Sequence, residues 1–219
     1  MNGSGNGSDP FRAPRQTMVR RQLRERGIGD ERVLEAMEAT PRHMFVPPEL
    51  AEQAYADHPL PIGCGATLSQ PFIVAFMTQA LAPRAGDRVL EIGSGSGYQT
   101  AILARLAARV YAVEIHPELV AAAQARLEAL GLADKVEMRA GNGRDGWPEQ
   151  APFDGILIAA CMEQPPTQLT PQLTEGGHMI YPQAMKPSAD EDQNLWLARR
   201  VAGRLETRWL GYCRFVPLV

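Results

Sequence analysis

One stretch constrains this chain more than any other: residues 89–107, VLEIGSGSGYQTAILARLA. It begins with an apolar run, Val89-Leu90-Glu91-Ile92, of the kind that forms a buried strand. Three glycines follow at alternate positions, Gly93, Gly95 and Gly97, and beyond them Ala101, Ile102 and Leu106 stand at helical spacing. Strand, glycine turn and helix open a nucleotide-type βαβ unit. The missing Cβ atoms let the backbone turn tightly and let a ligand come close.

Charge narrows the ligand. In the dinucleotide fingerprint G-x-G-x-x-G the third glycine lets the helix pack against the strand, and here Tyr98 holds that place. Glu91 stands at the end of the strand, just ahead of the glycines. A carboxylate there repels a pyrophosphate seated over the helix N-terminus and suits a cationic ligand. S-adenosylmethionine carries an ammonium and a sulfonium and no phosphate, so Glu91-x-Gly93-x-Gly95-x-Gly97 favours it over a dinucleotide. Ser94, inside the loop, belongs to the same binding set. A second acid, Glu114, ends the apolar run RVYAVE about 20 residues past the loop, where a carboxylate receives ribose hydroxyls. An acid at the start of a helix also complements the helix dipole, which is the blander reading of Glu114.

The 219 residues suffice for one α/β domain with additions. At 45% hydrophobic and 21% charged residues the composition is that of a soluble globular protein. The net charge of −3 comes with no basic stripe, so no nucleic-acid partner is expected. No apolar run has the length of a membrane span, and no secretory signal is read at the N-terminus. Cys64, Cys161 and Cys213 are odd in number and far apart, as fits reduced thiols and a cytoplasmic location. The four histidines show no ligand spacing, and no metal is expected. A monomer is expected.

Residues 1–16, rich in Gly, Asn, Ser and Pro, read as a disordered tail. Residues 17–26 read as a helix capped by Thr17 and stopped by Gly27; Asp30 caps a second, ended by Pro41. A short helix is expected in 47–56 and a loop over 57–66. Ser69 is a plausible N-cap for a helix over Pro71–Leu81, with Pro71 in its first turn. After the glycine helix come a strand over Arg109–Glu114 and a helix from His116-Pro117 to Gly131. Strands follow over 136–139, 154–160 and 178–181, then 195–201 and 207–215 around a turn at Gly203, with a polar loop over 186–193. The expectation is a Rossmann-like α/β fold: a mostly parallel seven-stranded sheet with helices on both faces and a C-terminal antiparallel hairpin. It is read as one domain over 17–219, with an N-terminal helical cap (17–80), a cofactor-binding core (81–185) and a hairpin segment (186–219).

Several segments together resemble the protein-L-isoaspartate O-methyltransferases. They are DERVLEAM (30–37), PRHMFVP (41–47), GATLSQP (65–71), the glycine stretch, Gly146-Trp147-Pro148, Glu175-Gly176-Gly177 and Phe215-Val216-Pro217-Leu218. The resemblance implies methyl transfer from S-adenosylmethionine to the α-carboxylate of isoaspartyl residues in damaged proteins and peptides. It makes Ser69 the active-site serine, aided by Thr67, while the residues alone serve equally for a cap. It adds Thr67, Leu68, Asn142 and Gly143 to the cofactor-binding set of Glu91, Gly93, Ser94, Gly95, Gly97 and Glu114. Asn142 departs from the family's Gly-Asp-Gly, keeping an acceptor oxygen without the charge. Cys161-Met162 and Gln183-Ala184 also depart from the pattern. Trp147, Tyr212 and Phe215 read as packing residues. Two other readings stay open at this stage: a methyltransferase for another carboxylate or a small molecule, and a relative that binds the cofactor without turnover.

Overall fold

The computed structural model describes residues 9–185 and 192–219. Leading elements are helix α1 (Arg12–Thr17), a π-type turn (Met18–Leu23), a 3₁₀ turn (Arg24–Arg26) and helix α2 (Glu31–Ala39). Of the tail expected over 1–16, residues 1–8 lie outside the described residues, and the chain is helical from Arg12; Thr17 lies inside the helical run rather than capping it. Tertiary contacts are the reason. Phe11 stacks on His43 at 4.1 Å, Asp9 accepts from the Phe11 N–H and pairs with Arg15, and Arg15 reaches the Tyr55 hydroxyl. Gly27, in the left-handed region, ends this run, and the Asp30 side chain caps α2 through the Arg32 N–H, both as expected.

The expected loop over 57–66 contains a small hairpin, β1 (Leu60–Gly63) and β2 (Ala66–Leu68), paired antiparallel. Helix α3 (Pro71–Leu81) follows, but Ser69 does not cap it: Gln70 holds the cap position and no side chain bonds there. The βα units are β3 (Arg88–Ile92), α4 (Tyr98–Leu106), β4 (Arg109–Glu114), α5 (Pro117–Ala129), β5 (Val136–Ala140) and β6 (Phe153–Ile158). β7 (Leu173–Ala184), β8 (Gln193–Val201) and β9 (Arg204–Cys213) complete a sheet ordered β5-β4-β3-β6-β7-β8-β9. β3 through β7 run parallel; β8 and β9 are antiparallel additions. β7 starts earlier than the Gly176-Gly177 turn suggested, because those glycines sit inside it at an irregular register with β6. Of the polar loop expected over 186–193, residues 186–191 lie outside the described residues, and Gln193 already belongs to β8.

The two sheet faces are covered differently. Val89, Val110, Leu157 and Ile180 pack beneath α2, α3, α4 and the N-terminal turns. Leu90, Tyr111, Ile156 and Met179 face the other way, against Leu169, Leu173 and Leu218. Among the described residues that second face carries 3₁₀ turns, including Thr167–Gln172, and no α-helix, so helices on both faces were not found. Pro165, Pro166 and Pro171 explain this, since proline removes a helical donor and clashes with the preceding turn. The order in which successive strands are added to the sheet reverses between β3 and β6. A crevice at the carboxyl ends of those strands is where open α/β sheets bind ligands.

Candidate active site

The glycine loop leaves β3 inside that crevice. Gly93, Gly95 and Gly97 have φ of 78°, 52° and 87°, all in the region that L side chains avoid. A Cβ at Gly97 would stand 2.9 Å from the Ala123 Cβ of α5. Gly97 therefore does the close-packing work that the dinucleotide pattern assigns to its third glycine, one position earlier than Tyr98. The Gly93 N–H donates to the Val113 carbonyl at 2.8 Å, and the Gly95 N–H donates to Glu114 Oε2 at 2.8 Å, tying the loop to the end of β4.

Three connected hollows surround the loop. The first, about 190 Å³, lies between Cys64–Thr67 on one wall and Glu114, Ile115 and His116 on the other, with Gly143 and the Val216–Val219 end of the chain completing it. The second is a chamber of about 40 Å³ lined by Leu68, Ser69, Glu91, Gly93, Ser94, Gln99 and Phe215, among others. The third is an open groove of about 850 Å³ lined by Arg26, Ser69, Phe72, Phe76, Tyr212, Arg214 and Phe215. Thr67 lines all three; Ser69 lines the chamber and the groove, and so stands at their junction.

Glu91 dominates the electrostatics. It is 0% exposed, and neither carboxylate oxygen has a hydrogen-bond partner. Burial pushes its pKa up to about 8, and the nearby charge of Glu114 adds to it. The hydroxyls of Ser94 and Thr100 are buried and likewise unpartnered. A native interior leaves few such groups orphaned. Glu91 and Ser94 both line the chamber, which marks a place shaped for a polar, cationic guest. Glu114, 5% exposed, is already oriented, with Oε1 accepting from the His116 N–H and Oε2 from Gly95.

Of the residues expected at the site, the structure brings together Thr67, Leu68, Ser69, Glu91, Gly93, Ser94, Gly95, Glu114 and Gly143. Gly97 and Asn142 stand apart. Gly97 packs against α5, and the Asn142 side chain is exposed, its Oδ1 accepting from the Arg144 N–H at 2.9 Å to cap a 3₁₀ turn. A Cβ at Gly143 would run into Ile92, so that turn lies directly against β3.

Two groups were missed. Arg42, fully buried, donates from Nε to the Ala54 carbonyl (2.6 Å) and from Nη2 to the Ser69 carbonyl (2.7 Å), with Tyr98 beneath its guanidinium. It thereby anchors the Ser69 segment to the Pro41–Pro47 region; burial lowers its pKa to about 10, leaving it charged at neutral pH. Tyr212, read as packing, is 62% exposed on the groove wall, edge-on to Trp209. Arg42 carried a signal in its motif; Tyr212 carried none.

Strand, glycine loop, helix, a crevice at the strand-order reversal and an uncompensated buried acid define a class: Rossmann-like, S-adenosylmethionine-dependent methyltransferases. The sequence model of the protein-L-isoaspartate(D-aspartate) O-methyltransferase family matches residues 14–219. A protein-L-isoaspartate O-methyltransferase of Methylorubrum populi is 50% identical over 207 residues, 94% of this chain and 95% of its own. One from Anaeromyxobacter dehalogenans is 54% identical over 194 residues, 88% and 91% of the two chains. The chain belongs to this family. A solved protein-L-isoaspartate O-methyltransferase superposes with a TM-score of 0.82 at 28% identity, over 93% of this chain and 65% of that longer one. A Plasmodium falciparum structure described as a protein-L-isoaspartate O-methyltransferase, in complex with S-adenosyl-L-homocysteine, superposes with a TM-score of 0.80 at 24% identity, over 94% and 98%, which speaks for the fold.

Proposed function

We propose that this chain transfers the methyl group of S-adenosylmethionine to the α-carboxylate of L-isoaspartyl residues in damaged proteins and peptides, a repair reaction. Family membership supports the reaction, and one observation carries the assignment of residues: Ser69 and Thr67 stand where the Glu91 chamber opens into the groove. The residues fit the cofactor, because Glu91 and Ser94 line the chamber and are buried without partners. Glu91 would receive the ammonium and Glu114 the ribose hydroxyls, and Gly93, Gly95 and Gly143 would admit the ligand without side-chain obstruction. When bound, the cofactor supplies a methyl group on a cationic sulfur, which is a good leaving group.

The acceptor is a carboxylate with a pKa near ~4, already ionised at neutral pH, so no general base is required. What the chain contributes is alignment and dryness. The Ser69 hydroxyl, and Thr67 beside it, donate to the acceptor carboxylate and aim one oxygen at the chamber. Ile73, Phe76 and Phe215 line the way with apolar surface. Arg26, paired with Asp57, and Arg214, paired with Asp192, give the groove polar rims of balanced charge, and Tyr212 offers an exposed ring for a peptide backbone. Asn142 acts through the turn it caps, holding Gly143 in place.

We take the expected domain over 17–219 to extend back to Asp9, because Phe11 and Arg15 pack on His43 and Tyr55, and we take it to work as a monomer. No helix among the described residues is long and apolar enough to cross a membrane. The three free thiols accord with a cytoplasmic setting. The test is methyl transfer from radiolabelled S-adenosylmethionine to paired peptides that differ only in Asp or L-isoaspartate at one site. Label on the isoaspartyl peptide alone is expected. Label only on small acids, or cofactor binding without transfer to either peptide, would refute the proposal.

A further inference from the structure

Three metal-ligating side chains meet at the mouth of the cofactor cavity, outside the groups used above. Cys64 sits in the turn between β1 and β2; His116 precedes α5 and Glu118 lies in its first turn. The Cys64 Sγ, a His116 ring nitrogen and a Glu118 carboxylate oxygen all lie within 4.8 Å of one another. The sequence spacing hid this, because the hairpin and the helix are joined only through the fold.

The geometry points to a Zn²⁺-class metal site formed by Cys64, His116 and Glu118, whose occupancy stitches the two walls of the cavity together and competes with cofactor entry. The donor set supports the class of ion. Thiolate, imidazole and carboxylate are zinc ligands, and three of them leave a fourth position for water. Hard cations such as Mg²⁺ and Ca²⁺ want oxygen alone. Tetrahedral bonds of about 2.0–2.3 Å set ligand atoms roughly 3.3–3.8 Å apart, so closing from the observed separation takes side-chain rotation of about 1 Å. The charge balances, since a thiolate and a carboxylate neutralise a divalent ion. Their attraction outweighs the mild repulsion between a cation and the N-terminus of α5, worth about 0.3–1 kcal/mol.

The chemistry is ligand exchange without oxidation or reduction. The Cys64 S–H bond breaks, its proton goes to solvent, and the sulfur lone pair binds the metal. Cys64 is the exposed member of the three free cysteines. It also stands between two glycines, and Gly63, Cys64 and Gly65 have φ of 93°, 51° and 70°. Cys64 and Gly65 line one wall of the cavity and His116 the other, which is why an ion bound there bars the passage.

The competition with cofactor rests on the function proposed above; metal binding does not, and the experiment separates them. The full chain is titrated with Co²⁺ and Zn²⁺ alone, with no cofactor. Binding of one equivalent is expected, with a sulfur-to-cobalt charge-transfer band that Zn²⁺ bleaches. Cys64→Ser should abolish the band. Glu118→Gln should weaken binding ~10-fold or more while the band remains at saturation. Cys213→Ser should change nothing. A band that survives Cys64→Ser, or binding insensitive to both Cys64→Ser and Glu118→Gln in chains whose circular dichroism matches wild type, overturns the site. Adenosylhomocysteine affinity, measured calorimetrically, should fall as Zn²⁺ saturates and return with chelator. An unchanged affinity at full metal occupancy overturns the competition.

Discussion

Replacing Glu91 with Gln should remove one proton from the cofactor-binding equilibrium. The wild-type carboxyl is fully buried with both oxygens unpartnered, and its pKa lies at about 8. At pH 7 a group of that pKa is about 90% protonated. The proposed seating of an ammonium beside it requires the carboxylate, so binding should expel the proton. Calorimetric titration with adenosylhomocysteine in two buffers of different ionisation enthalpy should report release of about 0.9 proton at pH 7 in the wild type, and almost none in Glu91→Gln. Wild-type affinity should rise about tenfold per pH unit up to pH 8 and then level off, while the variant stays flat, so that the advantage of the wild type is largest at pH 8 and vanishes toward low pH.

The same group shapes the stability of the free protein. Between its ordinary pKa of 4.5 and about 8, the native state holds a proton that the unfolded chain has shed. Stability therefore falls as pH rises through this window, by about 1.4 kcal/mol per unit, or about 3 kcal/mol by pH 7. Outside the window this contribution is level. Urea unfolding at pH 5, 7 and 8.5 should show the slope in the wild type and its loss in Glu91→Gln. Equal slopes in both chains, together with no proton release on binding, would refute the charge argument.

Four further substitutions test separate parts of the account. Ser69→Ala should lower kcat roughly 10- to 100-fold by loosening acceptor alignment, yet leave the unfolding free energy within about 0.5 kcal/mol, because Ser69 caps nothing; a large stability loss would reinstate the capping role. Gly97→Ala should destabilise by about 2–4 kcal/mol in urea unfolding, from its positive φ and the 2.9 Å approach to Ala123. Arg42→Leu leaves the carbonyls of Ala54 and Ser69 without their charged donor and should cost about 2–4 kcal/mol, an effect under 1 kcal/mol counting against the anchor. Asn142→Asp should leave adenosylhomocysteine affinity equal or tighter by calorimetry, since an Asp caps the same turn and still accepts from the Arg144 N–H. A large loss would mean that this loop plays another part.

How much could be read without coordinates depended on the range of the interactions. β4 was expected at Arg109–Glu114 and is found there, because a short buried strand declares itself in its own apolar run. The Gly93–Gly97 turn and the position of Glu91 were legible for the same local reason: glycine spacing and a lone acid in an apolar strand are visible in a few consecutive residues. The N-terminal helix begins before the expected boundary because Phe11 and Arg15 are held by His43 and Tyr55, partners far along the chain. The β1–β2 hairpin is too short to show a period.

Sequence therefore specified the strand-loop-helix unit and the acid placed in its strand, since backbone conformation and side-chain type are properties of neighbouring residues. Tertiary structure alone decided that Arg42 would hold the Ser69 segment, that Tyr212 would face a groove, and that Cys64 would meet His116 and Glu118. Those are meetings through space, and packing sets them.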